Sequence, residues 1–493
     1  MNTTSDLVSA VARLAQARVL CVGDLMLDRY VYGHVDRVSP EAPIPVVTVE
    51  REIAILGGAG NVVRNLVALG AETCFISVIG DDPAGREVTQ LVGAEANLEP
   101  HLLIEPRRRT TIKTRFVAAS QQLLRADRET VAPITPALRG QLVHRADEAM
   151  GDRAVMILSD YGKGVLGAET IEALIAAARA KGVKVLIDPK GRDYARYAGA
   201  TLLTPNRREL MDATGMPTAT DDEVVAAGRA LLARCALDAL LVTRSQDGMT
   251  LIERDGPATH LPAEAREVFD VSGAGDTVIA TLAAALAGGV GLGDACVLAN
   301  VAAGIVVGKV GTAVTHAAEI VTMLQTQDLA HGESKVMSLP VVLDQVAAWR
   351  AKGLKVGFTN GCFDLLHPGH VSLLAQARAQ CDRLVVGLNS DASVQRLKGA
   401  NRPVQAETAR AIVLASLAHI DAVVIFAEDT PMALIEAVRP DVLVKGADYK
   451  LEDVVGGEFV RRHGGRIYLA KLTPGHSTTD TIARIAAEEL PTR

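Results

Sequence analysis

Short apolar runs alternate with longer stretches of helical period along most of this chain. The runs Arg18–Leu25, Thr73–Ile79, Val155–Ser159, Lys184–Asp188, Thr201–Thr204, Ala239–Thr243 and Ile305–Val307 have the length and β-branched content of buried strands. Between them lie Ala-rich segments such as Thr170–Lys181 and Asp222–Ala236, whose apolar positions fall on one face of a helix. Strands alternating with helices predict βαβ units and a mostly parallel sheet covered on both faces. Two segments break the rhythm. Ile44–Glu50 and Arg109–Ala118 read as extended strands without a helix beside them, which predicts a small sheet projecting as a lid. A polar stretch, Gln327–Pro340, precedes an amphipathic helix at Val341–Lys352. The alternation then restarts through Val356–Phe358, Leu384–Leu388, Ala422–Phe426, Val442–Lys445 and Ile467–Leu469. The pattern predicts an α/β domain over 1–328, a linker over 329–340 and a smaller α/β domain over 341–493.

Composition narrows the class. Half of the 493 residues are apolar and 22% are charged, as in packed globular proteins. A formal charge of −7 argues against nonspecific nucleic-acid binding. The six cysteines have no paired spacing, which suits reduced thiols. Met1–Asp6 has neither a basic start nor an apolar core, so the expectation is a cytoplasmic protein without a secretory leader. The apolar stretch from Thr277 to Gly293 is Ala- and Gly-rich and bracketed by Asp276 and Asp294, which predicts a buried helix and no membrane partner.

The strongest chemical signal is Gly361-Cys362-Phe363-Asp364-Leu365-Leu366-His367-Pro368-Gly369-His370. An apolar strand enters this turn and a helix leaves it, with Pro368 suited to the first helical position. A helix N-terminus favours a phosphate, and two imidazoles supply donors to charge growing on a phosphoryl group. A zinc pair would need further ligands at orderly spacing, and no Cys-x-x-Cys or His-Glu-x-x-His lies nearby. The pattern GxFDxxHxGH resembles the signature of the HxGH nucleotidyltransferases, which implies a Rossmann-like domain. The resemblance makes His367 and His370 catalytic. It assigns nucleotide binding to Thr359, Gly361, Phe363, Asp364, Asn389, Asp391, Lys398, Lys445, Ser477 and Thr478. An Arg that often precedes the last two in relatives is replaced by Thr473-Pro474-Gly475.

Upstream, Asp270-Val271-Ser272-Gly273-Ala274-Gly275-Asp276-Thr277 combines glycines that admit close backbone approach with a carboxylate at a helix start. A base beside an anion hole is what phosphoryl transfer to an alcohol requires, although Asp is also a favoured helix cap. With Gly57-Gly58-Ala59-Gly60-Asn61, this segment resembles the paired signatures of the ribokinase-like PfkB carbohydrate kinases. The resemblance implies an α/β sandwich with a β-lid. Asp276 becomes the catalytic base, and Gly273, Ala274 and Gly275 its anion hole. Asn206 and Glu209 would organise ATP and Mg2+, with no tightly bound metal. Asp24, Gly58 and Asn61 would contact the sugar. Asp160 and Lys190 follow strands, at the carboxyl edge where α/β sheets bind ligands, and are expected to contact a sugar phosphate. The basic residues Arg107, Arg108, Arg109, Lys113 and Arg115 fall in the lid, where cations suit a phosphorylated substrate.

Taken in order, the two halves resemble the bifunctional heptose 7-phosphate kinase and heptose 1-phosphate adenylyltransferase family. Ser159-Asp160-Tyr161-Gly162-Lys163-Gly164 and Leu443-Val444-Lys445-Gly446-Ala447-Asp448-Tyr449 are among its supports. The resemblance implies two ATP-dependent steps towards ADP-heptose, a precursor of lipopolysaccharide core, with heptose 7-phosphate and heptose 1-phosphate as substrates and a homodimer as the assembly. The alternative is another sugar kinase fused to a cytidylyltransferase.

Overall fold

The structure is a computed structural model that describes residues 4–118, 121–264, 268–309, 311–447 and 449–471. It divides into two compact units, Met1–Leu324 and Gln325–Arg493. The first is built on a nine-stranded sheet. From one edge the strands are Thr259–Leu261, Met249–Glu253, Ala239–Thr243, Leu202–Leu203, Lys184–Asp188, Val155–Ser159, Arg18–Gly23, Glu72–Gly80 and Leu98–Glu105. All neighbouring pairs are parallel except the two made by Met249–Glu253.

The near-continuous apolar runs are explained by burial on both faces. Along Arg18–Gly23, Val19 and Cys21 join one core and Leu20 and Val22 another. The first core takes in the helices Ala59–Ala68, Ala274–Ala287 and Leu292–Val307; the second takes in Pro136–Ala149, Ala168–Ala180 and Asp221–Cys235. Ala274–Ala287 is the buried helix expected from its composition. The segment Ile305–Val307, expected as a strand, instead ends the helix Leu292–Val307. A short apolar run carries the same signal in a buried helix as in a buried strand.

The lid is a second, four-stranded sheet in the order Pro45–Gly58, Leu25–Val38, Thr111–Ala118, Gln121–Arg128. The expected single strand Arg18–Leu25 is therefore two strands belonging to two sheets, and the chain changes sheet at Asp24. Only the root of Leu25–Val38 is buried, and its distal half is exposed and polar, so the apolar pattern fades along it.

The second unit holds a five-stranded parallel sheet in the order Ala422–Phe426, Arg383–Asn389, Val356–Gly361, Val442–Gly446, Arg466–Ala470. Its first strand in sequence lies centrally, with later strands added on either side. The strand order reverses there, so the carboxyl end of Val356–Gly361 opens onto the crevice where such sheets bind ligands. Residues 329–334, read from sequence as linker, continue the helix Ala317–Ser334, and Val336 already pairs with Val423 of the second unit.

Candidate active sites

In the first unit the chemistry gathers at the start of Ala274–Ala287. Gly273 caps that helix with φ of 81°, and a Cβ there would lie 2.7 Å from Asn61 Nδ2. Glycine thus lets this turn close against Asn61. Asp276 follows in the first turn, 5% exposed. Its Oδ2 accepts from Asn61 Nδ2 at 2.8 Å and its Oδ1 from the Tyr161 hydroxyl at 2.5 Å. Burial pushes its carboxyl up to about 6, against the opposing effect of these two donors. Asp28 pushes in the same direction as burial and Lys113 against it. At neutral pH Asp276 is therefore mainly a carboxylate with a raised affinity for a proton, which suits a general base. Asn61 Oδ1 is buried without a hydrogen-bond partner in the protein.

The structure places Asn61 against Asp276 and Gly273, with Ala274 and Gly275 between those two in the same turn. It places others differently. Asp24, 1% exposed, accepts backbone N–H groups from Tyr161 and Lys163 at 2.9 Å and from Val165 at 3.0 Å. It organises the loop that carries Tyr161. Asp160 is likewise enclosed: it accepts from Gly162 N at 2.8 Å, and from the Tyr197 hydroxyl and Arg196 at 2.7 Å. Gly58 has φ of 58°, and a Cβ there would meet the Asp24 carbonyl at 2.5 Å, so it shapes the lid root. Asn206 and Glu209 form a reciprocal capping box on Arg207–Thr214, and Lys190 Nζ pairs with Glu209 at 3.0 Å. The sequence shows the N-x-x-E spacing, yet its use as a capping box was missed.

Among the lid cations, Arg108 is buried against Glu105 and the carbonyls of Thr130, Ala132 and Lys163. Arg115 pairs with Asp28 at 2.6 Å. Lys113 Nζ lies 5.8 Å from the Tyr161 ring centre, and burial lowers its proton affinity.

In the second unit, the loop after Val356–Gly361 leads to Pro368–Arg378, with His367 at its N-cap position. The His367 and His370 rings stack at 3.8 Å and 20°, and Phe363 meets His370 edge-on at 5.1 Å. Phe363 adopts φ of 44°. Gly361 gives its ring space: a Cβ at 361 would lie 3.1 Å from it. Burial first, then His367 and Lys398, lower the His370 imidazole to about 4, so it is neutral at physiological pH. A neutral His370 still offers an N–H donor. Lys445 Nζ donates to Asn360 Oδ1 at 2.5 Å, and Thr359 is buried beside it in the strand.

Asp364 and Asp391 hold the frame. Asp364 is enclosed, paired with Arg402 and accepting from Val404 N at 2.7 Å. Asn389 Nδ2 donates to Ser393 Oγ at 3.1 Å. Arg410, 1% exposed, donates to the Cys362 carbonyl at 2.5 Å, to Asp391 Oδ1 at 2.7 Å and to the Gln405 carbonyl at 3.0 Å. Neither Arg402 nor Arg410 was found from sequence. The available signal was a cation inside the apolar face of Glu407–Ala415. Ser477 and Thr478 lie outside the described residues.

Comparison with known proteins follows the same division. The model for pfkB family carbohydrate kinases matches residues 16–318, and the one described as Cytidylyltransferase-like matches 358–484. The chain is similar to the bifunctional protein HldE of Paramagnetospirillum magneticum, 61% identical over 98% of this chain and 99% of the relative. HldE of Rhodospirillum rubrum is 60% identical over 98% of each chain. The chain belongs to the HldE family. Membership carries both activities: a carbohydrate kinase is joined to an adenylyltransferase, and both serve ADP-heptose synthesis. Among solved structures, Arabidopsis thaliana ribokinase complexed with ribose and ATP superposes with a TM-score of 0.52 at 18% identity, covering 63% of this chain and 99% of that one. Phosphofructokinase-2 from Escherichia coli in complex with fructose-6-phosphate gives 0.53 at 18%, with the same coverage. At that identity the two share a fold with the kinase unit of this HldE family member.

Two measurements test this geometry. In an NMR titration the His370 imidazole should remain neutral through neutral pH and protonate near pH 4. Arg410→Met removes a buried guanidinium from two carbonyls and from the partly exposed Asp391, and should lower the unfolding free energy by roughly 2 kcal/mol, read as a shifted urea midpoint.

Proposed function

We propose that the first unit phosphorylates O1 of D-glycero-β-D-manno-heptose 7-phosphate, and that the second transfers AMP from ATP to heptose 1-phosphate with release of pyrophosphate. The observation that carries the kinase half is the buried Asp276 carboxylate, held by Asn61 and Tyr161 at the head of a helix. Asp276 accepts the proton of the sugar hydroxyl as its oxygen bonds to the γ-phosphorus. The bond to the bridging oxygen breaks and ADP departs. Gly273, Ala274 and Gly275 present backbone to the transferring group. Asn61 Oδ1, buried without a protein partner, can accept from a sugar hydroxyl. Lys113 is the lid cation proposed for the sugar phosphate; of the charges near it Asp28 acts first, and the neighbouring Lys163, Arg115 and Arg125 are each paired with a carboxylate.

The oxygen donors of Asn206 and Glu209 fit Mg2+ with ATP. Their side chains already bond backbone within the capping box, which favours contact through coordinated water. When bound, the ion draws charge from the phosphate oxygens. Asn206 and Glu209 themselves fix the start of Arg207–Thr214, and Lys190 balances Glu209.

In the second unit, His367 and His370 donate to the α-phosphate as the sugar phosphate attacks it and the bond to pyrophosphate breaks. Lys445 and Lys398 balance the departing charge. Lys445 is aimed by Asn360; Lys398 lies close enough to act on His370. Ser477 and Thr478 complete the nucleotide site in this reading.

A cytoplasmic homodimer that binds neither membrane nor nucleic acid belongs to the same proposal. Among the described residues no helix is long and apolar enough to cross a membrane. The lid exposes Val38, Ile44, Val49 and Leu124, an apolar set that suits pairing with a second copy.

Phosphorus NMR with separate sugar substrates tests both halves. Asp276→Asn should abolish formation of the 1,7-bisphosphate while ADP-heptose still forms from heptose 1-phosphate. His370→Ala should do the converse, slowing AMP transfer on the order of a hundredfold. CTP in place of ATP should release little pyrophosphate; equal release would favour a cytidylyltransferase.

A further inference from the structure

The Asp276 carboxylate has one hydrogen bond to each oxygen, and the two donors come from different parts of the chain. Asn61 comes from the helix Ala59–Ala68, against which the turn at Gly273 closes. Tyr161 comes from a loop after Val155–Ser159 that is unusually well secured. Asp24 takes three amides of that loop on a carboxylate that is 1% exposed, and the buried Arg108 takes the carbonyl of Lys163. Two glycines with positive φ, Gly162 and Gly164, allow the chain to fold around Asp24. So much fixed backbone places the Tyr161 hydroxyl, and that hydroxyl ends 2.5 Å from Asp276 Oδ1.

We infer that Tyr161 is a positioning residue of the kinase site: its hydroxyl orients the Asp276 carboxylate and steadies its negative charge, so that the sugar hydroxyl meets one of the remaining lone pairs. The inference rests on the kinase reading above. Burial and the adjacent carboxylates raise the Tyr161 phenol well above its ordinary range, so it stays a donor throughout the working pH range. The other groups facing Asp276 are Asp28 and Lys113 on the lid strands, Asp188 ending Lys184–Asp188, and Cys21 on Arg18–Gly23. Asp28 is paired with Arg115, and Cys21 is a buried neutral thiol. None of these donates a hydrogen bond to the carboxylate among the described contacts, so Tyr161 and Asn61 control its orientation. Asp24 then acts on the base at one remove, through the loop.

The test is the pH profile of sugar-dependent ATP consumption. The wild-type acid limb should lie near pH 6. Tyr161→Phe deletes a donor to the charged form, so the limb should move up by about one pH unit and kcat near neutrality should fall several-fold, recovering at alkaline pH. KM for ATP and the AMP-transfer rate should not change. Installing 3-fluorotyrosine at 161, which strengthens the donor and preserves the packing, should move the limb the other way. Limbs that coincide with wild type in both proteins would overturn the positioning role. If Tyr161→Phe is inactive at every pH, the fluorotyrosine protein decides alone: a downward limb supports the role and an unmoved limb overturns it. A wild-type protein that consumes no ATP with any sugar phosphate, yet still transfers AMP, would instead overturn the kinase reading beneath it.

Discussion

The buried carboxylate of Asp24 is the constraint on which the kinase site depends. It occupies the point where the chain leaves the main sheet for the lid, and it gathers three amides of a loop from a neighbouring strand. Buried charge is costly unless fully hydrogen-bonded, and here the bonding is supplied by backbone that would otherwise lack partners. The two needs are met together. Burial raises the proton affinity of Asp24 while the three N–H donors oppose it, which makes loop order and charge state interdependent. Removing the carboxylate would free amides in the same loop that places Tyr161.

The adenylyltransferase unit uses a cation for the corresponding task. Arg410 reaches the Cys362 carbonyl in the histidine-bearing loop and the Asp391 carboxylate at the next helix, and Arg402 closes on Asp364. A guanidinium is suited to this because its fork holds several acceptors at once without losing its charge. The His367 and His370 rings stack on one another beside this frame. Each unit thus sets its candidate site on a ring of groups that bond to the protein.

Much of this was legible in sequence, and the exceptions share a cause. The parallel sheets, the buried helix at Asp276 and the histidine turn follow from periodicity and local motif, which are encoded within a few residues. Asp24 and Asp160 looked like ligand contacts because they end strands at the carboxyl edge, where ligands also bind. Only the tertiary structure shows that loop amides and Arg196 already take their oxygens. Arg410 was invisible for the same reason: its partners lie 48 and 19 residues away in the chain. The long lid strand Leu25–Val38 escaped because it is apolar only at its root, where it leaves the sheet. Asn206 and Glu209 were legible as a pair, and the structure adds that the pair caps a helix.

The lid strands carry a further consequence. Asp28 and Lys113 stand opposite one another across Leu25–Val38 and Thr111–Ala118, and they act on Asp276 with opposite sign. Any motion of that sheet withdraws both together. Burial is the largest cause of the raised proton affinity of Asp276, so water admitted by such a motion would lower it, and exposure of the pocket and acidity of the base are coupled.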